Sequence, residues 1–223
     1  MRISVITLFP QMFSSMFNTS IIKRATEKKI MTIDFINLRD FGIGKHKLVD
    51  DTPYGGGAGM VLRVDVVQKA IESVKQNGGY EKIILLSAHG KQFNQKIARE
   101  LSSFSHLIIV CGHYEGFDER IKKYADEELS IGDFIVTGGE IPAMLIIDSV
   151  GRLVSGVIKK ESLENESFSP HLEYPQYTKP NEYNGQKVPN ILLSGNHKKI
   201  SEWRKEKSIS ITKKLRPDLI GKG

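Results

Sequence analysis

The chain has little cysteine and no long apolar run. Cys111 is the single cysteine among 223 residues, which excludes an internal disulfide and a cysteine-based zinc cluster. No apolar stretch approaches the ~18 residues of a membrane span. The beginning of the sequence, MRISVITLFPQMF, lacks the basic segment, the apolar stretch and the small-residue cleavage site of a signal peptide. We therefore expect a cytoplasmic protein.

Several familiar nucleotide and metal motifs are also missing. A Rossmann-type enzyme carries a glycine-rich turn directly after its first strand, whereas the first predicted strand here runs into Phe9-Pro10-Gln11. The sequence contains no G-x-x-x-x-G-K-[ST] and no H-E-x-x-H, and its GGGAGM follows no predicted strand directly. A nucleotide-like cofactor must therefore be held in some other way.

The excess of basic charge lies at the C-terminal end of the chain. The net charge is +6. From Asn196 onward nine Lys and Arg outnumber three acids, so this segment carries the whole excess. A basic segment on a neutral body indicates a polyanionic partner. A solvated helical surface has the same composition, so charge alone leaves both readings open.

Short apolar runs alternate with helical periodicity through the first part of the chain. This alternation predicts an α/β fold with a parallel sheet. Strands are predicted at residues 2–8, 31–38, 82–86 and 106–110. Helices are predicted at residues 10–17, 21–28, 64–76, 92–102 and 139–154. The connection 39–62 has no periodic pattern, and loops of this length are usually functional or disordered.

The helix predicted at 139–154 has apolar residues beyond a single stripe. It should therefore be buried on more than one side, and a subunit contact is one explanation. The polar segment 159–168 has the composition of a linker. Farther on, Ser194 or Asn196 is expected to cap a helix that runs to about residue 207. A shorter helix is expected after Ser208, ending before Pro217.

Four segments of the sequence carry candidate chemistry. They are VDDTPYGGGAGM (49–60), CGHYEGFDER (111–120), LSIGDFIVTGGEIPAM (129–144) and LEYPQYTKP (172–180). With LSGNHKKISEW (193–203) and RPDLI (216–220), in this order and spacing, the chain resembles the bacterial tRNA (guanine-N1)-methyltransferases. The resemblance runs from Met1 to about Ile220. Members of that family methylate the guanosine at tRNA position 37, beside the anticodon.

The resemblance implies a domain organisation that composition alone would not predict. Residues 1–158 would form a SPOUT-type α/β domain whose parallel sheet ends in a trefoil knot and binds S-adenosylmethionine. Residues 159–171 would be a flexible linker or lid, and residues 172–223 a helical tRNA-binding domain. The resemblance also implies a homodimer with active sites at the subunit interface.

Loops that follow successive strands contain several of the glycines. Ligands in open α/β sheets bind beyond the carboxyl ends of the strands, and glycine lets the main chain approach them closely. Each glycine by itself more often marks a plain turn, but the cluster favours a cofactor site. The residues that the resemblance implies for S-adenosylmethionine are Leu85, Leu86, Ser87, Gly112, Tyr114, Glu115, Gly116, Ser130, Ile131, Gly132, Asp133, Phe134, Ile135, Val136, Gly138, Gly139 and Pro142.

Methylation of guanine N1 requires a base near N1 and a cation or donor near O6. The resemblance implies Glu173 as the base, where the family has aspartate in D-x-P-x-Y-T-R-P. It implies Arg152 at O6, although Asp148 lies one turn earlier and suits a helical ion pair. Glu115 would be an accessory acid, and Glu115 with Glu173 would hold the Mg²⁺ that the family uses.

For two residues of the segment 111–120 we expect a structural role. Cys111 suits a small core position, and Asp118 suits the N-cap of a short helix at 119–124.

In the basic segment, polar and cationic side chains suit contacts with RNA phosphates and sugars. The predicted RNA-binding residues are Asn196, His197, Lys198, Lys199 and Arg204. Trp203 shares a helix face with Ile200 and is expected in a core. The alternatives are a methyltransferase of another RNA and a non-catalytic RNA-binding protein.

Overall fold

A computed structural model describes residues 1–75, 80–164 and 166–220. Its contacts divide the chain into two compact units, Met1–Ile158 and Lys159–Gly223. None of the helices in the described ranges combines the length and the hydropathy needed to cross a membrane.

The first unit is built on a parallel sheet. Its strands are β1 (Arg2–Thr7), β2 (Thr32–Asn37), β3 (Asp50–Asp51), β4 (Val61–Leu62), β5 (Glu81–Gln92), β6 (His106–Cys111) and β7 (Glu127–Ser130). Five of them form one sheet in the order β2-β1-β6-β5-β7, and all of its pairings are parallel. β3 and β4 form a separate antiparallel pair inside the long connection. The predicted α/β fold with a parallel sheet is confirmed.

The helices of the first unit match the predicted periodicity; α2 is shifted by one residue, and the other α-helices are shorter than predicted. The α-helices are α1 (Ser14–Phe17), α2 (Ser20–Glu27), α3 (Val64–Val74), α4 (Gln95–Leu101) and α5 (Glu140–Gly151), and 3₁₀ helices lie at Pro10–Phe13, Leu38–Phe41 and Glu119–Tyr124. The carboxylate of Asp118 accepts a 3.0 Å hydrogen bond from the Arg120 N–H, which confirms the predicted cap. The predicted end of α3 at Gln76 lies outside the described residues.

Both faces of the sheet are buried, which explains the continuous apolar runs of its central strands. In β6, Leu107, Ile109 and Cys111 face the core formed with α2, α4 and α5. The alternate residues Ile108 and Val110 face the core formed with α3. Cys111 is 2% exposed, so its predicted core position is confirmed.

β5 extends well beyond its predicted end at residue 86. After a shift of register between Leu86 and Lys91, the strand pairs with Leu129 and Ser130 of β7. A Cβ atom on Gly90 would lie 2.5 Å from the Leu129 backbone nitrogen, so this approach requires glycine. Residues 87–92 have no apolar alternation, and the extension is therefore not visible in the sequence.

The second unit contains short elements and one long helix. They are α6 (Lys160–Glu164), β8 (Glu182–Tyr183), β9 (Gln186–Lys187), α7 (Asn190–Leu193), α8 (His197–Leu215) and a 3₁₀ helix at Pro217–Leu219. The segment predicted as a linker thus contains α6.

The long helix corrects one prediction about the C-terminal end. Asn196 caps α8 by accepting a 3.1 Å hydrogen bond from the Lys199 N–H, as one of the two expected caps. The predicted break at Ser208 is wrong, since α8 runs unbroken to Leu215. The Ser208 hydroxyl does not cap a second helix, because it donates to the Leu172 carbonyl oxygen at 2.6 Å.

Candidate functional site

A cavity of about 360 Å³ opens beside the register shift in the middle of β5 and at the carboxyl ends of β6 and β7. The chain reaches it at Leu86 in β5, at Gly112 directly after β6 and at Ser130, which ends β7. This is the edge at which open α/β sheets bind ligands, and the volume is within the range of small-molecule sites.

The structure brings almost all of the predicted cofactor residues to this cavity. Every one of them lines it except Gly132 and Asp133. Gly132 nevertheless shapes the wall, because its N–H donates to the Ser130 hydroxyl at 3.3 Å and the same hydroxyl donates back to the Gly132 carbonyl at 3.1 Å. The loop after β7 is therefore closed on itself next to the cavity.

Two cavity loops touch each other through glycine backbone. The Gly139 N–H donates a 2.7 Å hydrogen bond to the Gly112 carbonyl oxygen. A Cβ atom on Gly139 would lie 2.6 Å from Cα of Cys111, and one on Gly112 would lie 2.8 Å from the Leu86 carbonyl oxygen. Side chains at these two positions would push the loops apart. The predicted role of glycine in close backbone approach agrees with these distances.

Sequence reasoning missed several lining residues, of which His113 is the most informative. Its Nδ1 atom is buried and has no hydrogen-bond partner within the described ranges. Its ring contacts Phe9 at 5.1 Å and Tyr114 at 4.6 Å between centroids. His113 lies inside the CGHYEG segment, and that was the available signal. Ile121 and Lys122 also line the cavity, but nothing in their sequence pattern marks them.

Glu115 meets the glycine-rich connection at the cavity rim. Its N–H donates a 3.0 Å hydrogen bond to the Met60 carbonyl oxygen. A Cβ atom on Gly59 would lie 2.5 Å from Oε1 of Glu115, so glycine at 59 leaves room for this carboxylate. The segment DDTPYGGGAGM therefore contacts the loop that follows β6.

Two buried polar side chains near the cavity, Thr7 and Cys111, interact with Glu140. The Thr7 hydroxyl donates to Oε1 of Glu140 at 2.7 Å. Burial, reinforced by the nearby Glu140 carboxylate, raises the pKa of the Cys111 thiol well above its usual value. Cys111 is thus a protonated core residue and not a nucleophile. At the rim, hydrogen bonds from Arg120 lower the pKa of Asp118.

Arg152 does not line the cavity of its own chain. It is the C-cap residue of α5, whereas Pro142 near the start of the helix lines the cavity. At a rise of 1.5 Å per residue the two positions lie roughly 15 Å apart along the helix. α5 exposes 50% of Ile141, directly before Pro142, and 42% of Leu145, between the two positions.

Glu173 lies in the second unit and is half-buried there. Its Oε1 atom accepts a 2.6 Å hydrogen bond from Nε2 of Gln176, and its N–H donates to the Ser167 hydroxyl at 3.0 Å.

The predicted RNA-binding residues are the N-cap of α8 and four residues in the first half of that helix. His197, Lys198 and Lys199 are exposed in its first turn. The Asn196 side chain is used as the helix cap, and the Arg204 guanidinium lies 4.8 Å from the centroid of the Tyr174 ring. Trp203 is half-buried and lies 6.5 Å from the ring of Tyr177.

Glu115 and Glu173 are the predicted Mg²⁺ ligands. In the part of the chain that the structure describes, no three His, Cys, Asp or Glu side chains gather closely enough to hold a metal ion. Glu115 and Glu173 belong to different units.

Comparisons with known proteins agree with the motifs. A family model described as tRNA (Guanine-1)-methyltransferase TrmD matches residues 1–222. A tRNA (guanine-N(1)-)-methyltransferase of Carboxydothermus hydrogenoformans is 55% identical over 223 residues, which cover 99% of this chain and 87% of the relative. The similarly named protein of Clostridium botulinum (strain Langeland) is 56% identical, covering 100% of this chain and 92% of its own. The similarly named protein of Mycoplasmopsis synoviae is 50% identical, and the match covers 99% of this chain and 97% of the relative.

Proposed function

The chain belongs to the tRNA (guanine-1)-methyltransferase family, and from this premise we propose that it transfers a methyl group from S-adenosylmethionine to N1 of the guanosine at position 37 of tRNA. The observation that carries the proposal is the cavity beside the middle of β5 and the ends of β6 and β7, which is lined by most of the predicted cofactor residues. The test is transfer of labelled methyl groups to unmodified tRNA. Label in the RNA supports the proposal, and its absence with cofactor and tRNA both bound refutes it.

S-adenosylmethionine fits the character of the cavity. The walls combine apolar side chains such as Leu86, Ile131 and Val136 with main chain at Gly112 and Gly139. Apolar walls suit the adenine ring, and exposed backbone groups give the few directed polar contacts that such sites use. The bound cofactor supplies an electrophilic methyl group, and the protein has to hold it facing the guanine nitrogen.

Removal of the guanine N1 proton is the part of the reaction that protein side chains perform. We assign Glu173 as the group that accepts this proton. Arg152 stabilises the negative charge that spreads to O6. Glu115, on the rim of the cavity, is an accessory acid. An intact cavity together with these three side chains favours an enzyme over a purely RNA-binding protein.

A homodimer explains the position of Arg152. Because one chain places Arg152 roughly 15 Å along α5 from its own cavity, we assign the arginine at each cavity to a second copy. The exposed Ile141 and Leu145 on α5, and Phe134 and Ile135 beside the cavity, which are 57% and 83% exposed, are apolar side chains that such an interface would cover.

The path of the chain around β7 supports the proposed SPOUT-type trefoil knot. Leu129 pairs with both Leu86 and Lys91 of β5, so residues 87–90 bulge out of the ladder beside β7. The close backbone approach at Gly90 fits a chain drawn tightly around another segment.

We assign the second unit to tRNA. The exposed Lys198 and Lys199 on α8 suit phosphate contacts, which supply most of the sequence-independent affinity for nucleic acid. Residues 159–171 are proposed to act as a lid over the bound substrate. A tRNA substrate also favours the cytoplasm as the place of action.

The proposal also includes Mg²⁺, which would be bound by few protein ligands. Mg²⁺ usually keeps several waters and takes only one or two protein carboxylates. Glu115 and Glu173 are the candidate carboxylates, and the remaining ligands would come from water or RNA.

A further inference from the structure

The end of the glycine-rich connection pairs with the loop that follows β6. The Glu115 N–H donates to the Met60 carbonyl oxygen at 3.0 Å, and the Leu62 N–H donates to the Gly116 carbonyl oxygen at 2.9 Å. The Leu62 carbonyl oxygen in turn accepts from the Asp118 N–H at 3.0 Å. Three main-chain hydrogen bonds therefore hold these two segments side by side.

The same end of the connection is also fixed on its other side. β4 pairs antiparallel with β3, and the Arg63 N–H donates to the Val49 carbonyl oxygen at 2.9 Å. Leu62 in β4 and Val49 just before β3 are completely buried. The main chain that follows Gly59 therefore has little freedom to shift.

The Glu115 side chain lies directly against Gly59. A Cβ atom at position 59 would lie 2.5 Å from Oε1, 2.6 Å from Cγ and 2.9 Å from Cδ of Glu115. Gly59 has a φ of +81°, which glycine adopts without a steric cost. Glu115 is an exposed residue, and this contact restricts the positions that its carboxylate can take.

We infer that Gly59 is a positioning residue for the methyl transfer: its lack of a side chain leaves the space in which the Glu115 carboxylate lies at the rim of the cofactor cavity. The inference rests on the proposed role of Glu115 as an accessory acid. Because hydrogen bonds hold the main chain of both segments, a side chain at position 59 would displace the flexible carboxylate and not the backbone. A displacement of about 1 Å can cost about 100-fold in rate.

The experiment uses the full chain and compares two alanine variants within the same connection. It measures single-turnover methyl transfer at saturating tRNA and S-adenosylmethionine, with the Kd for S-adenosylmethionine measured separately to confirm saturation. Gly59→Ala is expected to lower the rate by about tenfold or more, because the carboxylate leaves its place.

Gly56→Ala is the matched control. Gly56 has nearly the same φ, +79°, but a Cβ atom there would meet no atom of the described residues within 4 Å. Its rate should stay within about threefold of wild type, because it brings the same backbone strain without the contact. Equal losses in Gly59→Ala and Gly56→Ala would overturn the inference, since backbone strain would then explain both.

A further pair of variants shows whether Gly59 acts through Glu115. Glu115→Ala removes the carboxylate and leaves room for a Cβ atom at position 59. If the loss in Gly59→Ala comes from the displaced carboxylate, adding Gly59→Ala to Glu115→Ala should cause no further loss of rate. A further loss of about tenfold in that background contradicts the inference.

The outcome for the accessory acid is distinguishable from the outcome for Gly59. Wild-type rates in Glu115→Ala refute the role of Glu115 itself. A disabled Glu115→Ala beside wild-type rates in Gly59→Ala refutes only the positioning role. Circular dichroism at the assay temperature checks that each variant is folded. An unfolded Gly59→Ala also overturns the inference, because the strain would then fall on the backbone and not on the carboxylate.

Discussion

The hydroxyl of Thr7 donates a 2.7 Å hydrogen bond to Oε1 of Glu140, 133 positions later in the chain. Both side chains are buried. Thr7 ends β1 and Glu140 begins α5, so this bond joins the first strand to the helix whose beginning forms a wall of the cavity. The Thr7 oxygen also accepts a 2.9 Å hydrogen bond from the Phe9 N–H.

Removing the Thr7 hydroxyl should destabilise the first unit. Thr7→Val keeps the shape of the side chain but leaves a buried carboxylate without its donor, and this costs about 1–3 kcal/mol. Denaturant unfolding measures the change. Thr7→Ser retains the donor and should recover most of the loss. Equal stability of the valine variant and the wild type would show that the Glu140 carboxylate accepts a hydrogen bond from another donor.

The Cys111 thiol should be unreactive in the folded protein. Burial and the Glu140 carboxylate raise its pKa well above its usual value of 9.0, so the thiolate that reacts with disulfide reagents is scarce. Because the folded pKa is raised, the contribution of this group to stability is complete below pH 9 and is lost as the pH rises above 9. We expect no labelling near pH 8 until denaturant unfolds the chain. Rapid labelling of the native protein would contradict the assigned burial.

The sequence pattern predicts the central strands well and the cavity edge poorly, for a physical reason. β1 and β6 are buried on both faces, so their apolar runs are visible in the sequence. The second half of β5 is held by pairing with β7 and by the glycine contact at Gly90. Neither interaction leaves a periodic signal.

Long-range hydrogen bonds also explain what was wrong in the second unit. The sequence predicts a helix start at Ser208 because serine hydroxyls often form hydrogen bonds with backbone groups at helix ends. Its hydroxyl instead bonds to Leu172, 36 positions earlier. Arg152 and Glu173 as candidate catalytic residues came from the resemblance alone, because α5 carries Arg152 away from its own cavity and Glu173 lies in the other unit.

Gly139→Ala should weaken binding of S-adenosylmethionine. The added Cβ atom would lie 2.6 Å from Cα of Cys111, and overpacking of this kind costs about 1–3 kcal/mol. If the loop after β6 moves to relieve the contact, affinity falls by roughly 10- to 100-fold. Isothermal titration calorimetry with S-adenosylmethionine measures this affinity.

Gly151→Ala at the other end of α5 is the matched control. Its Cβ atom would meet only side-chain atoms of Ile22 and Met31, at 3.0 Å and beyond, which can shift, so cofactor affinity should stay unchanged. Equal affinities in both alanine variants and the wild type would place the cofactor elsewhere.

Mixed dimers test whether Arg152 serves the cavity of a second copy. Arg152→Ala and Glu115→Gln should each have little activity alone. If Glu115 and Arg152 at one cavity come from different copies, as proposed, a mixed dimer would hold one cavity with both native side chains. Unfolding and refolding the two variants together should therefore restore activity to about a quarter of the wild-type level, as random pairing predicts. No recovery, with dimers formed, would mean that Arg152 acts within its own chain.

The most direct test of the central claim locates the methyl group in the product. Unmodified tRNA with guanosine at position 37, and the same tRNA with adenosine there, are incubated with the protein, S-adenosylmethionine and Mg²⁺. Each product is then digested and analysed by mass spectrometry. We predict N1-methylguanosine at position 37 of the first tRNA and no methylation of the second. A methyl group at another position, or none in either tRNA while both substrates bind, would contradict the assigned reaction.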